Sequence, residues 1–142
     1  MKILALDLGD KWVGLAISDP SRRHSFPLRT IEAAQLNNLL PKIVAEEQVC
    51  CIVYGLPFTL KGTIGSQLQK VENQIAAFKK CPVLQNLEWV GIDERFSSQG
   101  ALHVLHQQNK KIGNNKTKEH AVVAALLLQS YLDAQSVGQQ PP

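Results

Sequence analysis

Ile3-Leu4-Ala5-Leu6-Asp7-Leu8-Gly9-Asp10-Lys11-Trp12-Val13-Gly14-Leu15-Ala16-Ile17-Ser18 holds two apolar runs joined by a short polar turn. Ile3 to Leu8 and Val13 to Ser18 are each of strand length, and Gly9 opens the turn between them, so the stretch reads as a β-hairpin. A third, weaker strand is expected over Pro27 to Ile31. The period then changes. Leu36, Leu39, Leu40, Ile43 and Val44 recur at helical spacing up to Glu47, with Pro41 expected to kink or delay the helix.

Cys50-Cys51-Ile52-Val53-Tyr54 is nearly continuously apolar, as in a strand buried on both faces, and Gly55-Leu56-Pro57 ends it. Leu68, Val71, Ile75 and Phe78 mark a second helix, Leu87 to Ile92 a further strand, and Ala101, Leu102 and Leu105 a short helix. Asn109 to Lys118 is a polar loop. A last helix starts near Lys118 and carries Val122, Ala125, Leu126, Gln129 and Tyr131. The order β-β-β-α-β-α-β-α-α predicts an α/β fold: a mixed five-stranded sheet, three antiparallel strands followed by parallel βα units, flanked by helices. Ligand chemistry in such sheets gathers at the carboxyl ends of the parallel strands.

Composition bounds the function. A chain of 142 residues that is 44% hydrophobic supports one core,, expected over residues 1–133, with a polar tail from Ala134 to Pro142 expected to be disordered. No apolar run approaches the roughly 18 residues of a membrane span. Asp7 interrupts the first apolar run too early for a secretory signal, so a cytoplasmic protein is expected. Cys50, Cys51 and Cys81 have neither disulfide nor zinc spacing and read as small apolar packers. A formal charge of +3 permits a phosphate-backbone partner without requiring one,. The basic pairs Arg22-Arg23, Lys79-Lys80 and Lys110-Lys111 serve equally as solvated surface.

Four features could carry chemistry. Asp7 sits near the end of a buried strand, where a carboxylate is costly unless paired or cation-bound; the alternative is an aspartate capping the hairpin turn. Asp93-Glu94-Arg95 follows a strand directly. Strand alternation lets only one of the two acids face a given side, and Asp93, in step with Trp89 and Gly91, is expected to be the inward one. Ser97 and Ser98 are candidate caps for the next helix. Gly55-Leu56-Pro57-Phe58 with Gly62, Thr63 and Gly65 could form a backbone nest for phosphate. His120 opens the last helix, on a stripe with Ala124, Leu127 and Tyr131. The helix N-terminus there favours neutral, metal-binding imidazole and nearby carboxylates oppose it; a merely structural histidine is the alternative. Carboxylates converging at strand ends repel one another unless Mg²⁺ or Mn²⁺ lies between them.

Four segments together resemble the YqgF (RuvX) family: Asp7 through Asp19, Gly55-Leu56-Pro57 with Gly62-Thr63, Asp93-Glu94-Arg95, and Ala124-Ala125 through Gln129-Ser130-Tyr131-Leu132. That family is similar to RuvC-type resolvases and has an RNase H-like fold. Its members are described as Holliday junction resolvases and, more often, as nucleases maturing the 5′ end of pre-16S rRNA. The resemblance implies a divalent metal, Mg²⁺ or Mn²⁺, held by Asp7, an acid of the Asp93-Glu94 pair, and a residue opening the last helix. His120 stands where the family has an aspartate and would suit Mn²⁺ better than Mg²⁺. Trp12 stands where arginine is usual, removing a phosphate contact or supplying a stacking face. Thr59 and Lys61 replace an asparagine and an acid.

The expected function is metal-dependent endonuclease action on structured RNA, with Asp7, Asp93, Glu94 and His120 as the catalytic set and Lys11, Arg95, Gly55 and Ser98 as nucleic-acid contacts. Cleavage of junction DNA is the neighbouring reading; a resolvase works as a homodimer on a symmetric substrate, so a monomer would favour RNA. A nucleic-acid binding factor without cleavage is the alternative of another class, resting on His120 and Trp12. Asp7-Leu8-Gly9 also resembles the phosphate turn of actin-like ATPases, which need two lobes where this chain has residues for one.

Overall fold

The hairpin forms as the sequence predicts. In the computed structural model, which describes residues 1–56, 66–93 and 116–139, β1 (Lys2–Leu8) and β2 (Trp12–Ser18) pair antiparallel, with Leu4 opposite Ile17 and Asp7 opposite Gly14. β3 (Ser25–Glu32) adds to β2, also antiparallel. The β2–β3 turn is closed by Asp19, whose carboxylate accepts from the Arg23 and His24 amides at 2.9 Å. A 3₁₀ turn (Ala33–Gln35) leads into α1 (Leu36–Glu47). That helix runs through Pro41 without delay. One lost backbone bond is outweighed there by burial of Leu36, Leu40, Ile43 and Val44,.

Gln48 adopts φ 55°, and its amide bonds the Val44 carbonyl. This left-handed cap turns the chain directly into β4 (Val49–Leu56),. β4 lies parallel to β1, and β5 (Glu88–Asp93) lies parallel to β4, reached through α2 (Ser66–Phe78) and the short α3 (Pro82–Gln85). The sheet order is β3-β2-β1-β4-β5. It is the mixed five-stranded sheet expected from the sequence, and the helices flank it. The last helix, α4 (Lys116–Gln139), starts two residues earlier than expected. It also continues past Asp133, where disorder was expected; Asp133 to Ser136 are exposed, so backbone hydrogen bonding rather than burial carries this extension. No helix among the described residues is long and apolar enough to cross a membrane.

The sheet's two faces are built differently. One receives Leu4, Leu6, Val13, Leu15, Ile17, Ile52 and Tyr54, covered by Leu40 and Ile43 of α1, Val71, Ile75 and Phe78 of α2, and Leu84 of α3. Each such side chain contributes about 1.5–3 kcal/mol by leaving water. Trp89 packs at its margin, stacked on Phe78 with centroids 6.0 Å apart, and its indole N–H donates to the Leu84 carbonyl. The other face offers Ile3, Ala5, Ala16, Cys51 and Val53, and α4 lies on it through Ala124, Ala125, Leu128 and Leu132. Where Ala5 and Ala16 meet Ala124 and Ala125, small residues face small residues and helix and sheet come close.

Candidate active site

Strand alternation sends Ile3, Ala5 and Asp7 to the α4 face and Leu4 and Leu6 to the opposite one,. Asp7 thus faces α4 at the carboxyl end of β1, opposite Gly14. The residue that sets the helix's distance from this strand end is Gly14 itself. A Cβ there would lie 1.9 Å from the His120 carbonyl oxygen and 2.8 Å from the Ala121 nitrogen. Only glycine lets the helix backbone touch the strand, and that contact holds His120 over Asp7.

Gly9 makes a second close approach. A Cβ at Gly9 would lie 2.6 Å from the Trp12 carbonyl oxygen and 3.9 Å from Cε1 of His120. The hairpin turn therefore borders the imidazole. Gly9 is the turn glycine expected from the sequence; the role of Gly14 was not predicted, although a lone glycine inside a strand is the usual sign of a close backbone approach.

His120 Nδ1 faces Asp7 Oδ2 at 3.5 Å, with 24% and 16% of the two side chains exposed. The nitrogen is buried and makes no hydrogen bond. The pair has the geometry of charges facing each other across a short gap rather than of a bond already made. Hydrogen bonding of the protonated ring to the Asp7 carboxylate is the main influence raising the His120 pKa above its ordinary 6.5; the negative charges of Asp7 and Glu119 add to it, and burial opposes. The opposing tendencies expected from the sequence are thus resolved in favour of the carboxylate. His120 is the fifth residue of α4 rather than part of its first turn, and the helix-end effect fades beyond that turn.

A carboxylate and a buried ring nitrogen that face each other at 3.5 Å without a formed hydrogen bond suit a divalent cation as well as a proton,. They supply two donors. Among the described residues no three His, Cys, Asp or Glu side chains lie close enough together to hold a metal.

Asp93 differs from the expectation. The register sets it beside Leu56, in step with Trp89, while Val90 and Ile92 point to the α4 face. Trp89 belongs to the bulky face, so being in step with it turns Asp93 away from Asp7. The reversal arises because the sequence shows alternation but not which face the last helix covers. Glu94, Arg95 and Ser98 lie outside the described residues, as do Gly62, Thr63 and the short helix expected at Ala101 to Leu105.

Gly55 is buried on β4 beside Ile92, on the strand that separates β1 from β5. Lys11 is exposed, with its ammonium 5.9 Å from the Trp12 ring centre. Its carbonyl accepts from the Ala33 amide at 2.8 Å, which anchors the turn.

The RuvX family model, described as "Holliday junction resolvase", matches residues 1–134. The chain belongs to the RuvX family. A Rubrobacter xylanophilus relative named "Putative pre-16S rRNA nuclease" is 33% identical over 133 residues, covering 93% of this chain and 92% of its own. A Dehalococcoides mccartyi relative of the same name is 38% identical over 131 residues, covering 89% and 93%. Among solved structures, Thermus thermophilus RuvC in complex with a Holliday junction substrate matches 96% of each chain with a TM-score of 0.62 at 12% identity. The fowlpox virus Holliday junction resolvase matches 94% and 99% with a TM-score of 0.52 at 16% identity. At these identities the likeness is one of fold, and it gives this RuvX chain an RNase H-like architecture.

Proposed function

We propose that this chain is a metal-dependent endonuclease that processes the 5′ end of pre-16S rRNA in the cytoplasm. The observation that carries the reading is the Asp7–His120 pair, a half-buried carboxylate facing a ring nitrogen without a hydrogen bond at the end of a central strand. The names of the relatives support the substrate.

Asp7 and His120 would hold Mg²⁺ or Mn²⁺, with the third donor from the Asp93-Glu94 pair. A bound divalent ion supplies an activated water and charge stabilisation at the leaving oxygen. Asp7 and His120, held by β1 and by the Gly14 contact, fix where that chemistry happens. Lys11, Arg95, Gly55 and Ser98 are the residues this reading assigns to contacts with the nucleic acid.

The test compares wild type with Asp7→Asn on a 16S precursor RNA and a four-way DNA junction, each with Mg²⁺ and with Mn²⁺. The expected result is RNA cleavage that requires metal and falls below detection in Asp7→Asn, while its melting temperature stays near the wild-type value at pH above the His120 titration, where no ion pair is lost,. Full activity in folded Asp7→Asn removes the assignment. The family description favours one second reading, junction DNA as substrate; cleavage of the junction alone would select it, and nucleic-acid binding without cleavage would select a non-catalytic factor.

A further inference from the structure

The two tryptophans of this chain stand in opposite situations. Trp89 is part-buried, but its ring is engaged at the margin of the core: stacked on Phe78, edge-on to Tyr54, with its N–H bonded to a backbone carbonyl. Trp12 is also part-buried and belongs to neither core cluster. What lies over its ring is the Lys11 ammonium.

Its position is fixed by the strand. Trp12 is two residues from Gly14 on β2, so alternation puts it on the face where α4 seats His120, about 7 Å along the strand from the Gly14 contact,. Its backbone is held against Gly9, which borders the His120 ring. A part-exposed indole, with the Lys11 ammonium over its ring, therefore stands on the same face as the Asp7–His120 pair.

We propose that Trp12 is a stacking platform for one unpaired nucleobase beside the scissile phosphate, and that Lys11 pairs with that nucleotide's phosphate. The proposal rests on the nuclease reading of the Asp7–His120 site and adds a substrate requirement to it: at least one base free of a complementary strand. An indole offers any base a π-face without reading its edge, so the requirement is for an unpaired base and not for a sequence. Bases in an intact duplex are stacked on their neighbours and cannot present a face to the ring.

The chain has two tryptophans, so Trp89→Phe leaves Trp12 as the sole indole reporter. In chelator, where no cleavage occurs, this protein is titrated with a single-stranded oligoribonucleotide and with the blunt duplex of the same sequence. The single strand is expected to quench Trp12 emission saturably and the duplex to leave it unchanged. In the otherwise native chain, Trp12→Ala is expected to weaken single-strand binding about 5- to 150-fold, the range for loss of one base–aromatic stack. It should leave duplex binding alone, while Trp12→Phe keeps most of the affinity. Equal losses on both ligands would make Trp12 a structural residue and overturn the proposal, as would no loss on either. Failure of wild type to bind any nucleic acid would instead overturn the nuclease reading, and this proposal with it. Melting temperatures of the variants separate unfolding from lost contacts.

Discussion

The two faces of the sheet pack by opposite rules. On the α1 and α2 face, large side chains interdigitate, and the helices stand off the strands by the width of Leu40, Ile43, Val71, Ile75 and Phe78. On the α4 face, Ala5, Ala16, Ala124, Ala125 and Gly14 bring backbone to backbone. A bulky interface gains most from burial and can absorb a small shift by changing rotamers. A backbone contact has no rotamers to change. The face with less apolar surface is therefore the one that can hold two polar groups at a defined separation, and it carries the Asp7–His120 pair.

The widest contrast comes from removing volume on the bulky face. Leu40 is fully buried in α1, away from the site. Leu40→Ala is expected to lower stability by about 2–5 kcal/mol, measured by urea denaturation, while cleavage per folded molecule stays at wild-type level. A lost cleavage rate at full folding would mean that the faces are coupled.

Adding volume to the tight face should do the reverse. Gly14→Ala inserts one methyl carbon into the His120 backbone and is expected to cost about 1–3 kcal/mol in stability. The larger consequence is catalytic: lifting His120 from Asp7 by even an ångström should slow cleavage about 100-fold. Wild-type cleavage by Gly14→Ala would show that the helix–strand contact does not position the pair.

The smallest expected effect is a pH dependence confined to the tight face. His120 has a folded-state pKa raised above its ordinary 6.5. Its protonated form is thus favoured by folding, and the stabilisation is fully present below the unfolded value. It is lost as pH rises from 6.5 through the raised folded value. The melting temperature of the metal-free protein should fall over that window, and His120→Asn should flatten the fall. If Nδ1 is a metal donor, cleavage must rise over the same window, because the metal competes with the proton. A stability profile identical in wild type and His120→Asn would remove the ion pair.

Strand positions and the order of elements along the chain were legible because period-2 and period-3.6 patterns are local, and the hairpin, α1, β4 and α2 all carry them. Asp7 and His120 were legible as residue types out of keeping with their surroundings. The orientation of Asp93 was not. Alternation fixes relative facing along a strand, but the absolute side depends on where a helix more than twenty residues later comes to rest. Gly14 escaped for a related reason: its partner is the backbone of residue 120, and a backbone contact leaves no mark in the partner's residue type.

The Gly14 contact also joins an early part of the chain to a late one. Asp7 leaves the ribosome long before His120. At about 5–20 residues per second, roughly 6 to 23 s of synthesis separate them. No nascent chain that lacks α4 can assemble the pair, however well its sheet has formed. Competence to act is thereby tied to completion of translation through the last helix, and a truncated product would carry the carboxylate but not the imidazole that faces it.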